Sequence, residues 1–248
     1  MNMLKRLFKT KNVLYYPGCL TKFVGKDIEE NYKKILSKIG VDFIQLKDLE
    51  LCCGSPVLNA GHQKEAEEIA RKNFKIFREH GITKIITACP ACFKMFAKEY
   101  PKLVKDWDIE AEHITMTLSK ALKDKKLKLE QIDAEVTYHD PCHLGRHYGI
   151  YKEPREIIKS TGAKLMEMRL NRENAFCCGG GAGVRTNYPL LSSSAAKERA
   201  KMAKDTKAKI LITTCPMCFY NLKENADGIE VMELSQFLKS SVEEKKKK

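Results

Sequence analysis

Nowhere does the 248-residue sequence contain a run approaching the roughly 20 apolar residues that a membrane-spanning helix needs. The opening stretch, Met1 to Val13, is basic, and it lacks the apolar core and small-residue cleavage site of a secretory leader. Residues 1–12 are therefore expected to form an N-terminal basic segment, solvated or used for docking. No spaced-glycine dinucleotide fingerprint is present, and nothing matches a nucleic-acid-binding module. The net charge of +13 is spread along the chain instead of concentrated in a stripe, which argues for a solvated Lys/Glu-rich surface and against a nucleic-acid partner. Excess positive charge of this kind favours anionic substrates or acidic partner proteins. A hydrophobic content of 43% with 31% charged residues excludes a disordered chain. Without an export signal, ten cysteines are expected to stay reduced in the cytoplasm, which favours metal ligation or redox chemistry over a disulfide framework. The terminal Glu243 to Lys248 is expected to fray.

Those ten cysteines fall into two copies of one pattern. Cys19, then Cys52-Cys53-Gly54, then Cys89-Pro90-Ala91-Cys92 is repeated as Cys142, Cys177-Cys178-Gly179 and Cys215-Pro216-Met217-Cys218. Corresponding elements are offset by 123, 125 and 126 residues, so order and spacing are both kept. The flanks agree as well: Ile86 to Phe93 matches Ile212 to Phe219 at six of eight positions, which marks an internal duplication.

Each half alternates short β-branched or aromatic runs with helical periodicity. Val13 to Tyr16, Val41 to Leu46 and Lys84 to Ala88 read as strands, with counterparts at Glu135 to His139, Lys164 to Met168 and Lys209 to Thr213. Ile28, Tyr32, Ile35 and Ile39 recur at helical spacing, as do Ile69, Asn73 or Phe74, and Phe77, and Gly40 and Gly81 stand where such helices stop. Strand–helix–strand units at this distance imply parallel pairing. The expected fold is α/β, with two pseudo-symmetric Rossmann-like lobes at 13–122 and 133–240, each a short parallel sheet flanked by helices. A polar linker is expected near Lys120 to Ile132. In such sheets ligands gather beyond the carboxyl ends of the strands. Cys19, Cys52-Cys53 and Cys89 each follow a strand, so three loops on one edge deliver five thiolates to one place.

Soft thiolates select iron–sulfur clusters, zinc or copper(I). Pro90 and Pro216 suit the first turn of a helix, so each Cys-Pro-X-Cys sets its sulfurs at a helix N-terminus, where amide groups favour thiolate. The adjacent pairs need a tight turn to serve one site, which Gly54 and Gly179 permit. Tetrahedral zinc leaves a fifth cysteine over, whereas a multi-iron cluster has use for five. The Gly179-Gly180-Gly181-Ala182-Gly183 segment allows close backbone approach to a bulky group.

This pattern resembles the tandem Cys-Cys-Gly domains of the B-type and D-type cysteine-rich components of heterodisulfide reductases, over about residues 13 to 235. It is also similar to domains of thiol:fumarate reductase and of the iron–sulfur subunits of glycolate and lactate dehydrogenases. The resemblance implies two noncubane [4Fe-4S] clusters, one on Cys19, Cys52, Cys53, Cys89 and Cys92, the other on Cys142, Cys177, Cys178, Cys215 and Cys218. It implies the disulfide-reducing subunit of a heterodisulfide reductase-like complex acting on a disulfide of the CoM-S-S-CoB type. A ferredoxin-like [4Fe-4S] subunit and a flavoprotein subunit are the implied partners, with any membrane association peripheral and through them. The closely spaced cubane motifs usual in the D-type proteins are missing here, so electrons must come from another chain.

Proton donation and substrate binding are assigned to the densest polar group in the chain, His139, Asp140, His143, Arg146 and His147, with His139, His143, Arg146 and His147 as candidate catalytic residues. Arg185 is a second candidate anion contact. His62, His80 and His113 lie far from the cysteines in sequence and are expected on the surface. Met95, Met116 and Met202 are expected as core filler. Three alternatives stand beside the reductase reading: an electron-transfer subunit for a flavin-dependent dehydrogenase or a thiol:fumarate reductase, a zinc-binding structural module, and a thioredoxin-like dithiol.

Overall fold

The computed structural model describes residues 11–46, 49 and 52–242; the expected basic segment and the lysine-rich tail therefore lie almost wholly outside the described residues. The chain forms two parallel sheets flanked by helices. In the first half, strand β1 (Asn12–Tyr16) leads through helix α1 (Cys19–Phe23) into helix α2 (Lys26–Lys38). Helices α3 (Ser55–Asn59) and α4 (Gln63–Glu79) precede β2 (Ile82–Thr87), and α5 (Pro90–Lys94), a π-helical turn at Met95–Glu99 and α6 (Tyr100–Leu103) precede β3 (Glu110–His113) and α7 (Ile114–Lys123). The second half opens with β4 (Glu135–His139), α8 (Cys142–Tyr148), α9 (Lys152–Ser160) and β5 (Lys164–Leu165). It continues with α10 (Val184–Asn187), α11 (Pro189–Lys204), β6 (Ile210–Thr213), α12 (Pro216–Asn225), β7 (Glu230–Glu233) and α13 (Leu234–Leu238).

All strand pairs within the two sheets are parallel, and the order is the same in each: β1-β2-β3, with Ile44 bridged to Leu14 on the outer side of β1, and β5-β4-β6-β7. Register repeats too, since Tyr15 lies opposite Ile86 as Tyr138 lies opposite Ile212. The expected second strands are the weakest elements. Val41 to Leu46 contributes one bridge at Ile44, and Lys164 to Met168 pairs only through Lys164 and Leu165. A further strand closes each sheet and was not expected: β3 carries glutamates at alternate positions, β7 begins and ends on glutamate, and Lys84 on β2 reaches over to Glu110 and Glu112 of β3.

Helix α2 buries Ile28, Asn31, Tyr32, Ile35 and Leu36, one apolar face at helical spacing. Helix α4 buries Ala66, Ala70, Asn73 and Phe77, so its inward face is smaller-sided than the Ile69–Phe77 stripe expected. Part of the expected linker is ordered: α7 runs to Lys123, Leu127 is buried, and Leu129 forms an antiparallel bridge with Val242.

One continuous core joins the halves, packing Tyr15, Tyr32, Leu36 and Leu118 with Tyr138, Ile157, Leu211 and Phe219. Helix α2 meets α13, and α9 meets α7, so equivalent pairs cross the seam in both directions. Hydrogen bonds pin both crossings: Tyr32 Oη donates to Glu233 Oε1 at 2.6 Å, and Ser119 Oγ donates to Glu156 Oε2 at 2.7 Å. The cysteine helices repeat the exchange, α5 lying on α8 and α1 on α12, with the Phe93 and Tyr148 rings 4.5 Å apart.

Candidate metal centres

The cysteines gather past the carboxyl ends of the strands, as the parallel topology dictates: Cys19, Cys92, Cys142 and Cys218 in the first turns of the helices that follow, the others in the connecting loops. Cys89 and Cys215 are in extended conformation immediately before helices whose first residue is proline, so each Cys-Pro-X-Cys turns directly from strand into helix. Gly18 lets the first loop close onto this turn: a Cβ there would stand 3.3 Å from both Cys89 Cβ and Cys92 Sγ. Gly54 and Gly179, both in the left-handed region (φ 83° and 78°), turn the chain after each adjacent pair.

Five thiols meet in each half, and they are linked in the same order. Cys19 contacts Cys52, which contacts Cys53, which contacts Cys92, which contacts Cys89. In the second half the chain of contacts is Cys142, Cys177, Cys178, Cys218 and Cys215, with Cys178 Sγ 3.2 Å from Cys218 Sγ. The backbone amides of Gly54 and Gly179 each donate to the first sulfur of the preceding pair, at 3.4 Å in both cases.

These contacts push the thiols of each set in opposite directions, the accepting sulfurs toward thiolate and the donating ones away from it. Cys52 is brought down to about 2, chiefly by thiol donation from Cys19, then from Cys53 and the Gly54 amide. Cys177 is lowered in the same way by Cys142 first, then Cys178. Cys89 falls to about 7 because the Cys92 thiol and the Cys92 and Ala91 amides outweigh burial. Donating neighbours move the other way, and Cys178 is pushed up to about 12, first by its contact with Cys177. Cys53, Cys92, Cys178, Cys215 and Cys218 are buried and Cys52, Cys89 and Cys142 half-buried, while Cys19 and Cys177 are exposed, so each set has one residue at the surface.

Of the candidate polar residues, His139 is drawn into the second thiol set: one of its ring nitrogens lies within 4.8 Å of the Cys178 and Cys218 sulfurs. It is buried, held neutral by desolvation first and by the Arg199 charge second. Arg199 Nε donates to His139 Nδ1 at 3.0 Å, and burial pulls the guanidinium down to about 10, leaving it cationic at neutral pH. His143 is half-buried and lowered to about 4 by desolvation, with its ring 5.1 Å from that of His147. His147 and Arg146 are exposed, and Arg146 Nη2 is spent on the Ala175 carbonyl at 2.9 Å. Asp140 is buried in an ion pair with Arg155 at 2.7 Å, which gives it a structural task. Arg185 is paired with Glu224 at 2.6 Å.

One expectation is overturned. His113, expected on the surface, is fully buried, and burial holds it neutral at about 4. Its Nε2 lies 3.2 Å from the Ala88 carbonyl, and the Thr214 backbone stands close enough to the ring to oppose the effect of burial, so one ring adjoins the residues preceding Cys89 and Cys215. Separation in sequence hid it. As the terminal residue of β3 and cap of α7, it stands next to the strand that carries Cys89. His62 is exposed and His80 partly so, as expected. Met95 is buried, and Met116 and Met202 pack partly buried against the core.

Comparison with known proteins agrees with this arrangement. The chain is 36% identical over 225 residues to the D component of the dihydromethanophenazine:CoB–CoM heterodisulfide reductase of Methanosarcina acetivorans, covering 88% of this chain and 55% of that protein. It is 29% identical over 232 residues to the B component of the fumarate reductase (CoM/CoB) of Methanothermobacter marburgensis, covering 90% of this chain and 45% of the relative. The chain thus spans about half the length of these curated relatives. Among solved structures, a hypothetical protein from Helicobacter pylori superposes with a TM-score of 0.66 at 13% identity, over 95% of this chain and 50% of that one, a likeness of fold. A family profile described as the cysteine-rich CCG domain matches residues 13–97 and again 136–223, each match taking in one full set of five cysteines. On that double match and the five thiols gathered in each half, the chain belongs to the cysteine-rich CCG domain family.

Proposed function

We propose that the chain is an iron–sulfur oxidoreductase subunit that reduces a small-molecule disulfide, the reaction named for the heterodisulfide reductase relative. In this reading two Rossmann-like lobes, 13–122 and 133–240, each carry a noncubane [4Fe-4S] cluster, on Cys19, Cys52, Cys53, Cys89 and Cys92 and on Cys142, Cys177, Cys178, Cys215 and Cys218. The observation that carries it is the repeated, identically ordered contact of five thiols in each half. The donor set fits the group: a zinc ion has no place for a fifth sulfur, and a single dithiol would use two of the five. When bound, each cluster supplies one electron, so the pair matches the two electrons that convert one disulfide and two protons into two thiols.

The protein's own residues divide the remaining work. Exposed Cys19 and Cys177 mark where each site meets solvent, and therefore where a substrate or an electron donor enters. In this reading His143 and His147, one helical turn apart beside Cys142, relay protons as neutral imidazoles to departing thiolates, and Arg146 at the rim meets an anionic substrate group. His139 lies behind the sulfurs and acts on them from the protein side. The exposed side chains of Phe23 and Val24 after Cys19, and of Tyr188, Leu190 and Leu191 beyond Cys177, give an iron–sulfur or flavoprotein partner apolar surface to cover. Among the described residues no helix is long and apolar enough to cross a membrane. The proposed setting is the cytoplasm, with any membrane attachment through partners. The fumarate reductase relative supports a second reading, in which the chain only passes electrons to a flavoprotein.

Anaerobic purification with iron and sulfide counts tests the proposal. Both elements are expected, with Cys53→Ser and Cys178→Ser each removing about half of them. A thiol-dependent paramagnetic signal from the oxidised chain alone supports direct disulfide chemistry, and its absence together with strict dependence on a flavoprotein supports the conduit. Zinc without sulfide overturns both.

A further inference from the structure

The two thiol sets are alike in sulfur and unlike in what stands behind them. Cys89 and Cys215 are 126 residues apart, and so are Gly81 and Lys207, which share a left-handed backbone (φ 63° and 62°) at the end of the preceding helix. The same offset sets Asn73 of α4 against Arg199 of α11, and the 123-residue offset of Cys19 and Cys142 sets Tyr16 against His139. The first half therefore holds a phenol and an amide where the second holds an imidazole and a guanidinium.

Arg199 is fully buried and His139 is 1% exposed. Arg199 Nε donates to His139 Nδ1 at 3.0 Å, and Nη1 donates to the Leu170 carbonyl at 2.7 Å. Because arginine only donates, His139 Nδ1 must be the accepting nitrogen and the ring proton must be on Nε2. That makes His139 a donor and leaves Nε2 no lone pair for a metal. Among the described residues, His139 Nε2 and Arg199 Nη2 are both buried with no hydrogen-bond partner, and a ring nitrogen of His139 lies within 4.8 Å of the Cys178 and Cys218 sulfurs. Among the described residues, Arg199 has no carboxylate within ion-pair distance, whereas the other buried arginine, Arg155, is neutralised by Asp140 and Glu167. The first half has no buried lysine or arginine among the described residues, and Asn73 Nδ2 is committed to Tyr100 Oη at 2.8 Å and the Cys52 carbonyl at 3.0 Å.

A buried cation and unclaimed N–H donors stabilise an added negative charge at a neighbouring sulfur-rich centre and so raise its potential. We propose that the His139–Arg199 pair makes the second-half centre the stronger electron acceptor, so that an electron entering the chain passes from the Cys19–Cys92 centre to the Cys142–Cys218 centre. This rests on the reading of two iron–sulfur centres. The step is a one-electron transfer, oxidising the first centre and reducing the second, and the electron is supplied by an external one-electron reductant.

A redox titration of the full chain, with dithionite as reductant and paramagnetic resonance as readout, tests it. Two midpoints are expected. Arg199→Gln should lower only the more positive one and shift the partition of the electron between centres by about tenfold or more, ~59 mV for each tenfold. His139→Gln should shift the same midpoint in the same direction by less, and Arg199→Lys should keep most of the wild-type value. Tyr16→Phe should leave the more positive midpoint in place. Iron and sulfide contents matching wild type establish that each variant has assembled; if glutamine at 199 prevents assembly, the lysine and His139→Gln variants carry the comparison. A single common midpoint, or substitutions at 139 and 199 that move the more negative midpoint or neither, overturns the inference while leaving the two-centre reading intact. Wild-type protein without iron and sulfide overturns both.

Discussion

Asp140 sits between His139 and Pro141-Cys142, so whatever fixes its carboxylate also fixes the loop that presents Cys142. Arg155 does this with a two-pronged grip, Nη1 to Oδ1 at 2.7 Å and Nη2 to Oδ2 at 3.0 Å, while the Arg172 backbone amide donates to Oδ2 at 2.8 Å. The side chains are 6% and 2% exposed. At this separation, with an effective dielectric of about 20, the attraction is ~6 kcal/mol, most of which is returned in desolvating the two ions. Removing the arginine alone is a different matter, because a desolvated carboxylate then stays behind without its partner, at ~3–5 kcal/mol. Glu167, whose side chain is 30% exposed, relaxes into water and adds little. Arg155→Met is therefore expected to lower unfolding free energy by ~3–5 kcal/mol and Tm by roughly 6–20 °C, read by urea and thermal denaturation of the metal-free chain. Adding Asp140→Asn should recover a large part of the loss, since it removes the stranded charge. A loss under ~1 kcal/mol for the single variant, or no recovery in the double, would show that the pair is not dry and that the argument fails.

Two further outcomes follow from burial and backbone geometry. Burial pushes the Glu233 carboxyl from 4.5 up to about 7, against donation from Tyr32 and Ser235. The folded chain thus keeps a proton that the unfolded chain sheds, and stability should fall by up to ~3 kcal/mol as pH rises between those values, a slope that Glu233→Gln abolishes; a variant with the same pH profile as wild type refutes this. A Cβ on Gly179 would meet the Ser192 carbonyl oxygen and Ala195 Cβ at 2.8 Å, whereas Gly40 faces open space, and both have positive φ. Gly40→Ala should cost ~1 kcal/mol in chemical denaturation and Gly179→Ala a further ~1–3 kcal/mol for crowding, so equal losses count against the close approach.

Much of the site was legible because its signals are local and doubled. The strand-to-cysteine steps at Tyr16, Thr87, His139 and Thr213 could be read from β-branched runs ending in Cys loops, and β4 falls at the expected Glu135–His139. The closing strands were hidden because Glu-Ala-Glu-His and Glu-Val-Met-Glu read as solvated chain, although their parallel neighbours draw them into the sheets. Edge strands are bonded on one side only, which is why the apolar run at Val41 to Leu46 leaves a single bridge. Arg199 was missed for a related reason. Its helix, rich in lysine and serine, has the composition of a solvent-facing element, yet Ser192, Ala196, Arg199, Ala200 and Ala203 line a buried face of small residues with one guanidinium at its centre. His113 is the opposite case, a solitary histidine whose importance depends on two backbone segments that only the folded chain brings together.

The crossed seating of the cysteine helices, α5 on α8 and α1 on α12, restricts how such a molecule can be rebuilt. Neither half contains the whole foundation for its own sulfurs, since part of that support is borrowed from the opposite repeat. A hybrid that takes one repeat from a distant cousin would need to import the matching contact residues of the other, including the aromatic pair at Phe93 and Tyr148, or both inorganic pockets would lose their shape together.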